Sequence, residues 1–424
     1  MSDLWAAPHV REPVVGTIRL PGSKSAAARA LVLSLLADTP STLYDLPGAR
    51  DTDLMLRAIT VLGAQVEQFG AGQIRVVPPT QIAAGGVIDC GLAGTLMRFL
   101  PAVAALANGT TRFVGDEAAS ARPVAPLLTA LGNLGAKASD ARLPFAITGN
   151  GSISGGGLRL DSSASSQFIS GLLLAAPRFQ NGLQIAHVGK TLPSRPHVEM
   201  TLQMLRSSGV AAQQRAEYAW SVSPGPIRGL DMHIEPDLTN TATFLAVALA
   251  TNGELTAPWP QFSVQPKDEL LGSLRAFGAK TSLSTQNGQP VVTLSGRRGI
   301  RPASVDLGAI SELTPVIAAL AALAPGPSHI RGVAHIRGHE TDRLAALETM
   351  LQTLGASVES SRDGLIIMPK QLHGGKVTSS GDHRMAHAAA LIGLRVPGVL
   401  IEGISATKKT IPDFERRWSM AVGR

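Results

Sequence analysis

Six times along the chain a polar knot is followed at once by a helix-length run of Ala, Leu, Val and Ile that ends at glycine or proline. The runs are "SAAARALVLSLLADTP", "TLMRFLPAVAALANG", "SQFISGLLLAAP", "TATFLAVALATNG", "ELTPVIAALAALAPG" and "RMAHAAALIGLRVPG". They begin near Ser25, Thr95, Ser166, Thr241, Glu312 and Arg384, at intervals of 70, 71, 75, 71 and 72 residues, so six units of about 70 fill the 424 residues. A helix that is apolar on every side must be enclosed by protein. Six such helices therefore demand an architecture built to surround them.

A second signal alternates with the first. Amphipathic stretches close on Leu-Gly-Ala or a near variant, as in "LRAITVLGAQV", "LLTALGNLGAKA", "LQMLRSSGVAA", "LLGSLRAFGAKT" and "LETMLQTLGASV". Their glycines Gly63, Gly135, Gly209, Gly278 and Gly355 suit left-handed C-terminal caps. Leu344, Leu347, Leu351 and Leu354 carry the 3-4-3 spacing of one buried stripe. Short apolar runs such as "VVTLSG" and "GLIIMP" follow and predict strands. Each unit thus reads as strand, buried helix, strand, amphipathic helix, strand pair. The length exceeds what one core sustains. Two domains of three units follow, each with three buried helices side by side, and the two are expected to face each other across a cleft.

With 44% hydrophobic and 16% charged residues the chain is globular. The net charge of +7 points to anionic partners. Nucleic acid is disfavoured, because lysine and arginine are scattered, with only Arg297-Arg298, Lys408-Lys409 and Arg416-Arg417 adjacent, and aromatics make up only 4%. One cysteine, Cys90, rules out an intramolecular disulfide and fits a reducing compartment. "MSDLWAAPHV" has no leader pattern and no apolar run approaches a membrane span, so a cytoplasmic location and no membrane partner are expected.

The polar residues of each unit cluster at the start of its buried helix. There the first N–H groups lack partners and the macrodipole leaves partial positive charge, which favours anions. Lys24, Ser25 and Arg29 equip the first start; Gly94, Thr95 and Arg98 the second; Ser165, Ser166 and Gln167 the third; Asp382, His383 and Arg384 the sixth. Arg122 and Arg195 each precede a proline near an amphipathic helix, and Glu340 and Arg343 share a face at i, i+3. Taken singly these are ordinary features, since a serine pair before a helix is usually a cap. "PGSKS" is not a P-loop, "HETDR" is not a zinc motif, His383 and His387 alone make no metal site, and no G-x-S-x-G elbow occurs. What needs explaining is the register: cations recur at equivalent positions of a repeated unit.

These residues resemble a known family. "PGSKS", "GLAGTLMR", "SSQF", "SRPHVEMTLQML", "ETDRL", "DHRMAHAAA" and "KTIPDF" occur in the order and spacing of the 5-enolpyruvylshikimate-3-phosphate synthases over nearly the whole chain. The resemblance implies an α/β (α+β) fold, a two-domain inside-out α/β barrel with three βαβαββ repeats and three buried parallel helices per domain. It places residues 22–234 in one domain and 1–21 with 235–424 in the other, the active site lying in the cleft between them. It implies transfer of the enolpyruvyl group of phosphoenolpyruvate to the 5-hydroxyl of shikimate 3-phosphate, with no cofactor and no metal. Matched position by position, Lys24, Ser25, Arg29, Ser165, Ser166, Gln167, Ser194, Glu312 and His339 would hold shikimate 3-phosphate. Lys24, Gly94, Arg122, Gln167, Arg343, Arg384 and Lys409 would hold phosphoenolpyruvate. Glu312, Glu340 and Lys24 would move the protons. A cytoplasmic monomer acting on two small molecules is expected.

This chain departs from the usual motif. Glu312 stands for an aspartate, Leu92 and His335 each for an asparagine, Phe99 for a proline, His197 for a tyrosine and His339 for a lysine. A histidine is mostly uncharged at neutral pH. Phosphoenolpyruvate binding is therefore expected to weaken as pH rises through the His339 titration. Gly94 leaves room beside the phosphoenolpyruvate site, so inhibition by glyphosate is expected. The rivals are UDP-N-acetylglucosamine enolpyruvyl transferase, which carries a cysteine where this chain has "GDEAASARPV", and a non-catalytic nucleic-acid-binding protein.

Overall fold

A computed structural model describes residues 3–423. Twelve α-helices are found among them: α1 (Lys24–Leu36), α2 (Arg50–Val61), α3 (Gly94–Ala104), α4 (Ala125–Asn133), α5 (Gln167–Ala175), α6 (Pro196–Ser207), α7 (Leu238–Ala250), α8 (Lys267–Ala276), α9 (Thr314–Leu323), α10 (Arg343–Thr353), α11 (His383–Gly393) and α12 (Phe414–Ala421). The odd-numbered helices are the six apolar runs. In α3 and α11 every residue is buried, and α7 and α9 each leave a single residue short of full burial. Among the described residues, no helix is long and apolar enough to cross a membrane.

The even-numbered helices are one-sided. The glycines after α2, α4, α6, α8 and α10 have φ of 102°, 102°, 84°, 104° and 93°, the left-handed conformation that glycine adopts without steric penalty. Leu344, Leu347, Leu351 and Leu354 are fully buried, as their spacing predicts. The sixth one-sided helix, α12, lacks the leucine-glycine signature and was not anticipated from sequence. It buries Phe414 and Trp418 beside Phe244 of α7, with ring centroids of Phe244 and Trp418 5.0 Å apart.

Three sheets share one plan: Val87–Asp89, Asn108–Val114, Phe145–Asn150, Lys137–Ala138; Gly156–Leu160, Leu183–His187, Ala219–Val222, Ala212–Ala216; and Ser304–Asp306, Ser328–Arg331, Leu365–Met368, Ser357–Ser360. In each the first two strands are parallel and the remaining pairs antiparallel. A parallel pair needs a long crossover. The buried helix supplies it.

The other three sheets keep the plan with a strand from elsewhere in the chain. Asp231–His233 lies parallel to Ser41–Tyr44, and Val15–Thr17 lies parallel to Glu254–Pro258. The sixth unit is the exception to the predicted strand pair: its sheet has three strands, and Leu4–Ala6 takes the antiparallel place beside Val399–Glu402. These exchanges match the division into two compact units. One is Gly22–Glu235; the other is the segment ending at Pro21 together with Pro236 onward. At the two crossing points, Ser23 N donates to Glu235 O at 2.7 Å in the first unit, and Asp237 N to Pro21 O at 3.0 Å in the second.

Within each unit the buried helices pack on one another. A β-carbon on Gly171 of α5 would lie 2.1 Å from the backbone oxygen of Arg98 and 3.2 Å from Cα of Phe99, both in α3. Gly171→Ala should therefore lower the urea midpoint, an overpacking cost of about 1–3 kcal/mol outweighing the gain of about 1 kcal/mol in helix propensity. Exposed Gly272 in α8 has nothing within 4 Å of its β-carbon position. Gly272→Ala should raise the midpoint by roughly 0.5–1 kcal/mol of stability, so opposite signs from two helical Gly→Ala changes test the packing directly.

Candidate active site

In the unit Gly22–Glu235 the starts of α1, α3 and α5 lie at one end. Arg29 in the second turn of α1 donates to Ser170 Oγ of α5 at 3.3 Å and lies 5.0 Å from the ring centre of Phe99 in α3. Arg98 of α3 donates to Gln167 Oε1 at the first position of α5, 2.9 Å away. Parallel helices pool their polar ends.

Ser23 caps α1, its Oγ accepting from Ala26 N at 3.3 Å, and this sets Lys24 on the first turn. Lys24 Nζ sits 3.1 Å from Asp51 Oδ2, a buried carboxylate of α2. Arg29 turns inward. It donates to Thr201 Oγ1 at 2.8 Å, to the carbonyls of Ser25 and His197 at 2.9 Å each, and to Ser170, and it is 1% exposed. None of these partners is a carboxylate, and burial draws its pKa down to about 9. An uncompensated buried cation favours an anion nearby.

Gly94, Arg122 and Gln167 converge. A β-carbon on Gly94 would lie 2.9 Å from Arg122 Nη2 and 3.1 Å from Gln167 Oε1. Arg122 Nη1 donates to Leu92 O at 2.6 Å, and Arg98 Nε and Nη2 donate to Pro123 O at 3.1 and 3.0 Å. Because a guanidinium only donates, the Arg98 contact places the Gln167 carbonyl toward Arg98 and its NH₂ away from it. Ser165 Oγ accepts from Gln167 N at 3.3 Å, and the Ser166 hydroxyl donates to Ser194 O at 3.4 Å. Ser194 holds a φ of 49°, a conformation costly for a residue with a β-carbon.

The second unit repeats the plan with carboxylates added. Arg384 on α11 donates to Asn240 Oδ1 of α7 at 2.7 Å and lies 3.5 Å from Glu312 Oε2, in the turn leading into α9. Arg343, at the start of α10, is fully buried and bridges Glu312 at 3.0 Å, Glu340 at 2.9 Å and Asp382 at 2.7 Å. Lys409 pairs with Glu340. Three carboxylates thus meet three cations, and Arg343 is the hub. Glu312 is the open member: its side chain is 36% exposed, against 7% for Glu340 and 0% for Asp382. Burial opposes ionisation of Glu312, but Arg343 above all, with Arg384, holds its carboxyl well below the usual range. It is the ionised carboxylate with the most open side chain of the three.

The expected titration of His339 near neutrality does not occur. Burial, reinforced by Arg343, pushes its pKa down to about 3, and His335, bonded to Ser311 Oγ at 2.8 Å, is pushed by burial down to about 4. Neither is a cation in the neutral range, so anion binding does not weaken through a His339 titration there, contrary to the sequence expectation.

Three positioning groups were not assigned roles from sequence. Asp51 is one of two acidic residues in the first turn of α2, and only the packing of α2 against α1 sets it on Lys24. Asn240 had a legible signal, an amide inside an otherwise apolar run. Arg98 was noted at a helix start, and only the fold brings it to Gln167 and Pro123.

The buried imidazoles fix the sign of the acid response. Folded His335 and His339 bind protons less readily than the ordinary value of 6.5, so the unfolded chain takes up more protons below that pH and stability falls as pH falls. Glu312, depressed from 4.5, adds a further loss below that value. The urea midpoint should decline steadily from pH 7 to pH 5; a flat profile would mean that charged imidazoles are accommodated.

Known proteins resemble this chain in sequence and in fold. The family model for EPSP synthase (3-phosphoshikimate 1-carboxyvinyltransferase) matches residues 9–418. A 3-phosphoshikimate 1-carboxyvinyltransferase of Kocuria rhizophila is 48% identical over 436 aligned positions, covering 99% of this chain and 97% of the relative. Two EPSP synthase structures from Acinetobacter baumannii superpose with TM-scores of 0.81 and 0.80 at 22% and 21% identity, covering 99% of this chain and 98% of theirs, a likeness of fold. With a family model spanning nearly its whole length and a near relative at that identity, the chain belongs to the EPSP synthase family.

Proposed function

We propose that the side chains gathered at the helix starts carry the reaction of this family, transfer of the enolpyruvyl group of phosphoenolpyruvate to the 5-hydroxyl of shikimate 3-phosphate with release of phosphate. The observation that carries the assignment is the contrast between the units. One presents Arg29, Arg98 and Arg122 on carbonyl, hydroxyl and amide partners, suited to anions. The other presents a half-buried, ionised Glu312 beside buried Glu340, suited to proton transfer.

Ser25, Ser165, Ser166 and Ser194, with Arg29 beneath them, take shikimate 3-phosphate, and the Gln167 amide lies along its ring. Lys24, Arg122, Gln167, Arg343, Arg384 and Lys409 take phosphoenolpyruvate, with Gly94 admitting it close to Arg122. Each charge-assisted hydrogen bond contributes about 1.5–3 kcal/mol, more than a helix end alone. Glu312 removes the proton of the 5-hydroxyl as its oxygen bonds to C2 of phosphoenolpyruvate, and Glu340 protonates C3, giving a tetrahedral intermediate. The new methyl group then returns a proton, the C2–C3 double bond re-forms, and the bond from C2 to the phosphate oxygen breaks. Lys24 balances charge on the departing phosphate.

The chain acts in the cytoplasm as a monomer on this proposal, its single cysteine buried and unpaired; sedimentation at micromolar concentration tests the oligomeric state. Phosphate should be released from phosphoenolpyruvate when shikimate 3-phosphate is the acceptor, and not when UDP-N-acetylglucosamine is; the reverse result overturns the assignment. Glu312→Gln should lower kcat by about 10²–10⁴. Gly94→Ala drives a β-carbon against Arg122 and Gln167 and should raise KM for phosphoenolpyruvate about tenfold or more.

A further inference from the structure

We propose that His339 is a positioning residue: its neutral imidazole accepts at Nδ1 the one N–H of Arg343 not given to a carboxylate, and so makes Arg343 the strut that holds Glu312. A guanidinium has five N–H donors and no acceptor. In Arg343, Nε donates to Asp382 Oδ2 at 2.7 Å, and Nη2 donates to Asp382 Oδ1 at 3.3 Å and Glu340 Oε2 at 2.9 Å. Nη1 donates to Glu312 Oε2 at 3.0 Å and meets His339 Nδ1 at 2.9 Å. These contacts account for all five donors. In this state Arg343 is held wholly by protein acceptors.

The geometry also fixes the tautomer. Arg343 can only donate, so Nδ1 presents a lone pair and the ring proton sits on Nε2. Protonation would set an N–H of His339 against an N–H of Arg343 at 2.9 Å, two donors and two like charges. The groups facing the ring are Arg343, Glu312, Glu340 and His335. The carboxylates favour a proton, yet burial and Arg343 outweigh them. Glu312 Oε1 lies 3.4 Å from Nδ1. In this tautomer both are acceptors, so they are linked through Arg343 and not by a bond of their own. Arg343 and Arg384 hold Oε2 of Glu312, which leaves Oε1 to receive the substrate proton. A lysine at 339, as the usual motif has, cannot accept from Arg343. This arrangement belongs to chains with an acceptor at that position.

The role at Glu312 rests on the assignment of that residue as the base, but the tautomer does not. In the full-length protein labelled with ¹⁵N in its ten histidines, the His339 signals, assigned by their loss in His339→Asn, should show unprotonated Nδ1 and protonated Nε2, unchanged from pH 5 to pH 9. His339→Leu leaves a buried donor unpaired and should lower kcat about tenfold with little change in either KM, whereas His339→Asn, which keeps an acceptor at the Nδ1 position, should regain most of that loss. An Nδ1–H tautomer or a titration between pH 5 and 9 overturns the proposal. So does an effect of His339→Leu confined to KM for shikimate 3-phosphate, which would make the ring a substrate contact, or an undiminished kcat. Glu312→Gln retaining full activity would instead refute the base assignment while leaving the spectroscopic result standing.

Discussion

A helix apolar on every side has only its ends in which to place chemistry, and the rest of this fold follows from enclosing six of them. Each large apolar side chain fully buried contributes about 1.5–3 kcal/mol, so a polar group in mid-helix would be resisted strongly. The N-terminal end is different. It presents unpaired N–H groups and partial positive charge, and there polar residues satisfy the backbone instead of offending the core. Sheets and one-sided helices wall in the sides, and the starts remain as the place for function.

Burial then governs which partners the cations meet. Arg29, Arg98 and Arg343 are all buried, but their surroundings differ in kind. The first two hold carbonyl, hydroxyl and amide oxygens. Arg343 is surrounded by carboxylates. Breaking such a buried pair costs about 3–5 kcal/mol because the remaining charge is stranded, so this cluster is rigid by electrostatic necessity. Rigidity suits the proton transfer proposed for Glu312.

Much of this was legible in the sequence. The 70-residue period predicted six buried helices, and each begins within a few residues of its expected start: Ser23 caps α1 beside the expected Ser25, while α7 begins at Leu238, ahead of Thr241, because Asp237 caps it. The Leu-Gly-Ala endings predicted left-handed glycines, because only glycine takes that conformation cheaply. The i, i+3 spacing predicted that Glu340 and Arg343 would meet. Helix α12 escaped because it ends without a leucine-glycine signal.

Sequence by itself determined the repeat, the local caps and the chemistry available at each helix start, because these depend on neighbours a few positions away. Tertiary structure alone decided partnership. Lys24 meets Asp51 across 27 positions, Arg29 meets Thr201 across 172, and Arg343 meets Asp382 across 39. It also decided charge. His339 reads from sequence as a titrating side chain and folds into a neutral acceptor, because protonation depends on burial and on the charges of groups brought close only by the fold.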